Sequence, residues 1–145
     1  QKLQLTLIKK EDVMSFDPRT MGMPVYEALN KLRQDYPKEA YEDRLKEQKG
    51  QAVELYTYLA TWGMMRLKAE EQALSQDGKK DVVKKYFNCL QQLAGIQDLA
   101  GTRGLQTLKQ LDPESYLGLT GLGLAIAQEF SFWATAVYHN IKGEE

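Results

Sequence analysis

The chain holds 145 residues, 43% of them hydrophobic and 27% charged, values that exclude a disordered or fibrous polypeptide and leave room for one core rather than two. Its 19 basic and 20 acidic residues give a formal charge of −1, so the uniformly basic surface of a simple nucleic-acid binder is excluded and any such role must rest on a local stripe.

In chain order, the first residue is Gln1 rather than methionine, as expected of a trimmed terminus or of a piece of a longer parent chain. Residues 1–8, QKLQLTLI, place Leu3, Leu5 and Leu7 in strand-like alternation, too short to form a sheet alone. The following SFDPRTMGMP carries two prolines and a glycine and reads as a connector. Residues 1–23 are therefore expected to be an extended N-terminal tail or linker, and residues 24–143 a helical bundle domain.

Pro24 suits the first position of a helix, and Val25, Leu29 and Leu32 recur at helical spacing until Pro37 stops them. From Lys38 to Leu74 no proline intervenes and good helix formers dominate. One long central helix or two nearly collinear ones are expected, with Gly50 as the weak point. After the turn SQDG, the stretch VVKKYFNCLQQLAG gives a helix with Val82, Val83, Tyr86, Leu90 and Leu93 on its apolar arc and Gly95 as its stop. A shorter helix is expected from Gln97 through Leu111. Asp112 and Pro113 then start a last helix, whose stripe of Ile126, Phe130, Trp133, Val137 and Ile141 runs to near Gly143, with Gly118, Gly121 and Gly123 inviting a bend early on. The fold class is all-α, a compact bundle of about five helices.

The longest apolar run, Tyr116 to Ala127, is too short to span a bilayer, so no membrane partner is expected. The lone cysteine, Cys89, makes no internal disulfide and suits a small core residue in a reducing compartment, which points to the cytoplasm.

The stretch TWGMMRLKAEE sets a glycine between a tryptophan and two methionines. On a helical wheel Tyr56, Gly63, Leu67 and Leu74 form one apolar side, and Leu55, Trp62, Met65, Ala69 and Ala73 a second. A narrow polar strip runs through Glu54, Thr57, Thr61, Lys68 and Gln72. Gly63 costs about 1 kcal/mol of helix propensity relative to alanine, which close approach of a neighbouring helix would offset. The second apolar side either completes a central helix or meets another subunit, because aromatics and methionine are favoured at interface cores. Trp62, Met65 and Phe132 are the candidate protein-interface residues. Arg66 lies between the two sides, with Glu70 four residues on as its expected partner.

Signals for chemistry are absent. There is no GxxxxGK[ST] loop, GxGxxG, CxxC or ExxH, so phosphate-loop, dinucleotide, zinc and di-iron sites lack their anchors. His139 and Cys89 have no nucleophile motif around them. No catalytic residue, cofactor or metal is expected, and the chain reads as a non-enzyme. What remains is a set of basic positions, among which Lys80 and Lys84 lie one turn apart with Asn88 and Gln91 continuing the stripe. Such a row can hold a nucleic-acid backbone without reading bases, or can be a plain solvated face.

Taken together, ELYTYLATWGMMRLKAEE, VVKKYFNCLQQLAG and YLGLTGLGLAIAQEFSFWATAVYHN resemble, in their arrangement, the small helical subunits of type III CRISPR effector complexes. The resemblance covers roughly residues 41–140, and Tyr116, Thr120 and Trp133 follow the order of tyrosine, threonine and tryptophan-bearing helix found in such families. It implies a non-catalytic subunit that stacks with copies of itself or with other subunits and cradles guide RNA and target RNA through basic side chains. Arg44, Arg66, Lys80, Lys84 and Arg103 are the candidate RNA contacts. The alternative is a helical protein-interaction adaptor domain that binds no nucleic acid.

Overall fold

The computed structural model describes residues 19–142. The alternating leucines of the N-terminal segment and most of the expected tail lie outside the described residues, whereas the last helix, expected to run to near Gly143, ends within them at Val137 and leaves Ile141 beyond it. Within them the chain is all-α, with six helices and no strand. Helix α1 (Arg19–Gln34) starts earlier than the expected Pro24, which sits inside it. One turn into a helix the proline ring forfeits a ladder donor without ending the helix. Its apolar stripe is as expected, with Val25, Leu29 and Leu32 buried.

Of the two arrangements expected between Lys38 and Leu74, one long helix or two, the structure has two, α2 (Lys38–Trp62) and α3 (Met64–Ala73), which raises the helix count above five. Gly50, the expected weak point, lies inside α2. The break is at Gly63, whose φ of 88° and ψ of 169° belong to a region essentially reserved for glycine. A side chain there would meet no atom within 4 Å, so Gly63 serves backbone direction and not the close helix approach the sequence suggested. Close approach occurs at other glycines. An added Cβ at Gly123 would lie 2.6 Å from the Tyr86 hydroxyl and 3.2 Å from the Met64 sulfur, and one at Gly78 would strike the Arg44 carbonyl.

Helix α4 (Asp77–Ala94) buries Val82, Val83, Tyr86, Phe87, Cys89 and Leu90 and ends at Gly95 in the left-handed conformation. The helix expected from Gln97 shrinks to α5 (Gly104–Gln110). Ahead of it, Asp98 holds a φ of 63° and the Gln91 side chain accepts from the Leu99 and Ala100 amides. Turn geometry therefore replaces the first half of the expected helix. Helix α6 (Pro113–Val137) starts as expected, with the Asp112 carboxylate accepting from the Ser115 amide at 2.8 Å. It runs unbroken past its early glycines.

Contacts fix the topology. Gly22 abuts Glu129 and Trp133 while Arg33 donates to the Val137 carbonyl, so α1 and α6 run the same way. Ser131 reaches the Ala52 carbonyl and Tyr138 reaches Gln48, so α2 runs opposite to α6. Asp81 meets Arg44 and Lys68 lies over Phe87, so α4 follows the direction of α2 and α3. These four long helices enclose a core led by Tyr86, Tyr138, Phe87 and Phe130. Trp133, expected at the centre of its stripe, is only partly buried and packs on Tyr26 of α1 with ring centroids 5.2 Å apart. Helices α3 and α5 close the end of the bundle where α2 and α4 finish.

Candidate nucleic-acid interface

The candidate basic residues fall into different environments, and the difference begins with their partners. Arg44, on α2 near the chain-reversal end, donates to both oxygens of Asp81, at 2.8 and 2.9 Å, and to the Tyr36 hydroxyl at 2.8 Å. Its guanidinium lies 4.1 Å over the Tyr36 ring. The hydrogen bonds to Asp81 hold its pKa above the usual arginine value, with desolvation acting against them. Gln48 also donates to Asp81, and the buried Tyr138 hydroxyl donates to Gln48 in turn. Arg44 is thus part of a closed polar network that ties α2, α4 and the end of α6 together. Its donors face the fold.

At the other end Arg66 meets no carboxylate within ion-pair distance among the described residues. The expected bridge to Glu70 is replaced by a stack in which the guanidinium lies 4.2 Å over the Trp62 ring. Trp62 is 52% exposed and Met65 37%. Phe132 is 61% exposed but belongs elsewhere, edge-on to Trp133 at 5.0 Å. Ala52 faces Ser131, and a rise of ~1.5 Å per residue puts Trp62 roughly 15 Å further along the bundle. The three interface candidates therefore form two patches, Trp62 with Met65 and Phe132 alone.

The break at Gly63 also reassigns the helical wheel. Leu55, expected on the second apolar side, is fully buried, while Tyr56, expected in the core, is only partly so. Lys68, expected on the polar strip, is 5% exposed. A single wheel drawn through residues 54–74 assumes one axis, and the turn at Gly63 removes that assumption.

Lys68 leads to the cleft that gathers the remaining candidates. Lys80, Lys84 and Asn88, at successive turns of α4, line an open cleft of about 380 Å³ together with Lys68, Glu71 and Thr102. The ammonium of Lys68 donates to Glu71 at 2.9 Å, and the pair is 5% and 14% exposed. That contact neutralises the carboxylate of the lining. Lys80 and Lys84 form no ion pair among the described residues, so the cleft carries two uncompensated positive charges. Gln91, expected to extend the stripe, turns inward to the Leu99 and Ala100 amides, and the stripe ends at Asn88. Arg103 is exposed at the start of α5.

Three residues build this arrangement: Asp81, which the sequence did not single out, and Lys68 and Glu71, whose spacing suggested a solvated helix face but which are 5% and 14% exposed. Asp81 was visible as an acid at the edge of an apolar arc, next to Val82. Nothing in the sequence marked Lys68 for burial, because that follows from the turn at Gly63. Cys89 is buried, and burial pushes its thiol up to about 11. His139 is exposed, with Nδ1 3.0 Å from the Ala136 carbonyl oxygen. No cluster of metal-ligating side chains occurs among the described residues, and no helix there is long and apolar enough to cross a membrane. No protein-family model, curated protein or solved structure matches the chain.

Proposed function

We propose that the chain is a non-catalytic helical subunit of an RNA-guided complex, of the kind its resemblance to type III CRISPR small subunits implies. It holds guide or target RNA backbone along the outer face of α4 and meets neighbouring subunits, or copies of itself, through the end of α2. One observation carries the reading: Lys80 and Lys84 line an open cleft without a carboxylate partner among the described residues, while the carboxylate beside them is occupied by Lys68. Exposed cations without internal partners, flanked by amide and hydroxyl groups, are what backbone contacts require. Lys84 is exposed and Lys80 half-buried, and the exposed Arg103 and Arg66 extend the set. Arg44, held by Asp81 and Tyr36, serves the fold in this reading.

The test replaces Lys80 and Lys84 by glutamate and measures the affinity of a labelled single-stranded RNA at several salt concentrations. Affinity should fall similarly for unrelated sequences, and the salt dependence should become shallower because fewer counterions are released. Unchanged affinity and an unchanged slope would reject the RNA reading. The second reading, a protein-interaction adaptor, rests on the exposed Trp62 and Met65 and would then stand alone.

A further inference from the structure

The geometry points to a sharper property of the cleft between α3, α4 and residues 100–105: it is a receptor for a terminal phosphate, the phosphate monoester of a mononucleotide or of an RNA end. The choice of ligand rests on the RNA reading, but the site itself rests on separate observations. A plain solvated lysine face has no buried charge beneath it. Here Lys68, only 5% exposed, is among the lining residues. Its alkyl chain is so close to Gly104 that an added Cβ there would strike it, and its Nζ lies 4.6 Å over the Phe87 ring. An ammonium has three N–H donors, and among the described residues Lys68 has a single hydrogen-bond acceptor, Glu71. A cation fixed this way is pre-organised, so its remaining donors reach a ligand with little further ordering.

The charge balance selects the ligand. Lys68, Lys80 and Lys84 against Glu71 leave a net charge of two positive units in the lining. A phosphate monoester carries about −1.5 to −2 at neutral pH, whereas each diester of an internal backbone carries one negative charge. Thr102 and Asn88 add a hydroxyl and an amide. Gln91 takes the Leu99 and Ala100 amides, while those of Gly101 and Thr102 have no acceptor among the described residues. Ala100 and Leu105 supply an apolar wall suited to a ribose or a base edge. The volume of about 380 Å³ falls in the range of small-ligand sites, roughly 300–1,000 Å³.

Isothermal titration calorimetry of the full chain against inorganic phosphate, AMP, a 5′-phosphorylated penta-uridylate and its 5′-hydroxyl counterpart tests this. Saturable binding of AMP and of the phosphorylated oligomer is expected, with the 5′-hydroxyl oligomer weaker. A phosphorylated oligomer that binds tighter than AMP identifies an RNA end as the source, and equal affinities identify the nucleotide unit. Lys80→Met with Lys84→Met should weaken both ligands roughly tenfold or more. Glu71→Gln should tighten them by roughly fivefold, since it removes the opposing charge yet still offers Lys68 an acceptor. A gain of affinity is not an outcome of misfolding. The inference is overturned if no probe binds saturably, or if the two oligomers bind alike and Glu71→Gln changes nothing; in the latter case RNA backbone binding survives without it. If AMP binds with the expected variant effects while long 5′-hydroxyl RNA does not bind, the RNA backbone reading falls and the phosphate site stands.

Discussion

The two ends of the bundle each place an arginine over an aromatic ring, and they use it differently. At the chain-reversal end Arg44 lies over Tyr36 but is also clamped by both oxygens of Asp81, with Gln48 and Tyr138 completing the set. At the end capped by α3 and α5, Arg66 lies over Trp62 with no carboxylate among the described residues to hold it, and the ring beneath is half exposed. The same pair of side-chain types is a fastener in one place and a presented surface in the other. What separates them is Asp81, a single acid on a neighbouring helix. Basic residues are therefore sorted into structural and available ones by their partners in space, and a count of lysines and arginines along the sequence cannot do that sorting.

Removing Asp81 is the strongest way to break the contrast. Asp81→Ala leaves the Arg44 guanidinium and the Gln48 amide without their acceptor in a site where the ion pair is 28% and 13% exposed. A cost of about 3–4 kcal/mol is expected, because most of the penalty is the uncompensated charge. Arg44→Met combined with Asp81→Leu should recover much of that loss, since apolar replacement of a shielded pair is often close to neutral. Urea denaturation of the single and double variants reads both outcomes. A loss below about 1 kcal/mol for Asp81→Ala would put the network in the class of ordinary surface pairs.

Alkali should destabilise the fold through its buried thiol and phenols. Burial pushes the Cys89 thiol from 9.0 to about 11 and raises the phenols of Tyr86 and Tyr138. Above pH 9 the unfolded chain releases a thiol proton that the folded chain keeps, so stability falls as pH rises and is intact below that value. By pH 11 the cysteine alone accounts for roughly 2–3 kcal/mol. The Tyr138 proton is the one donated to Gln48, so its ionisation also severs the polar network. Thermal melts between pH 8 and 11 should show the decline, and it should be smaller in Cys89→Ser, whose hydroxyl does not titrate in this range. A flat profile to pH 11 would contradict the burial of these groups.

Gly63→Ala should cost about 1–3 kcal/mol although no neighbour would be touched, because the penalty lies in the backbone. The same change at Gly50, inside α2, should be neutral or stabilising by up to about 1 kcal/mol. If both substitutions gave the same result, the two helices would be one continuous helix, the other arrangement the sequence allowed.

That contrast marks the limit of what was legible. Helix identity followed from apolar spacing and from the end signals at Pro37, Gly95 and Asp112, and those local rules held because each depends on neighbours in sequence. The break at Gly63 was not legible, since a glycine in a helix-favouring stretch serves equally for close approach or for a turn. The misplacement of Lys68 and Leu55 followed from that one ambiguity. In the candidate site, Lys80 and Lys84 could be placed on one face from their spacing. Their lack of a partner, the burial of the Lys68–Glu71 pair and the inward turn of Gln91 depend on α3 and the loop before α5. No periodicity encodes those.

The smallest expected effect on stability is also the clearest test of what the capped end presents. Trp62→Ala removes a half-exposed ring whose described aromatic-face partner is the Arg66 guanidinium, and Arg66→Ala removes that guanidinium. Neither leaves a buried group unsatisfied, so each should change the unfolding free energy by less than about 0.5–1 kcal/mol. Their effects should be non-additive by a similar amount, because each deletes the same stack. Exposed aromatics retained at such low value to the fold are expected at binding surfaces. In the proposed complex Trp62→Ala should therefore weaken association with a neighbouring subunit while leaving the RNA affinity of the free chain unchanged, and Lys80→Glu with Lys84→Glu should do the reverse. Sedimentation of the assembled complex and anisotropy of the free chain separate the two. If Trp62→Ala lowered RNA affinity in the free chain, the ring would be a stacking platform for bases, and the two ends would differ in how they hold nucleic acid rather than in whether they are exposed.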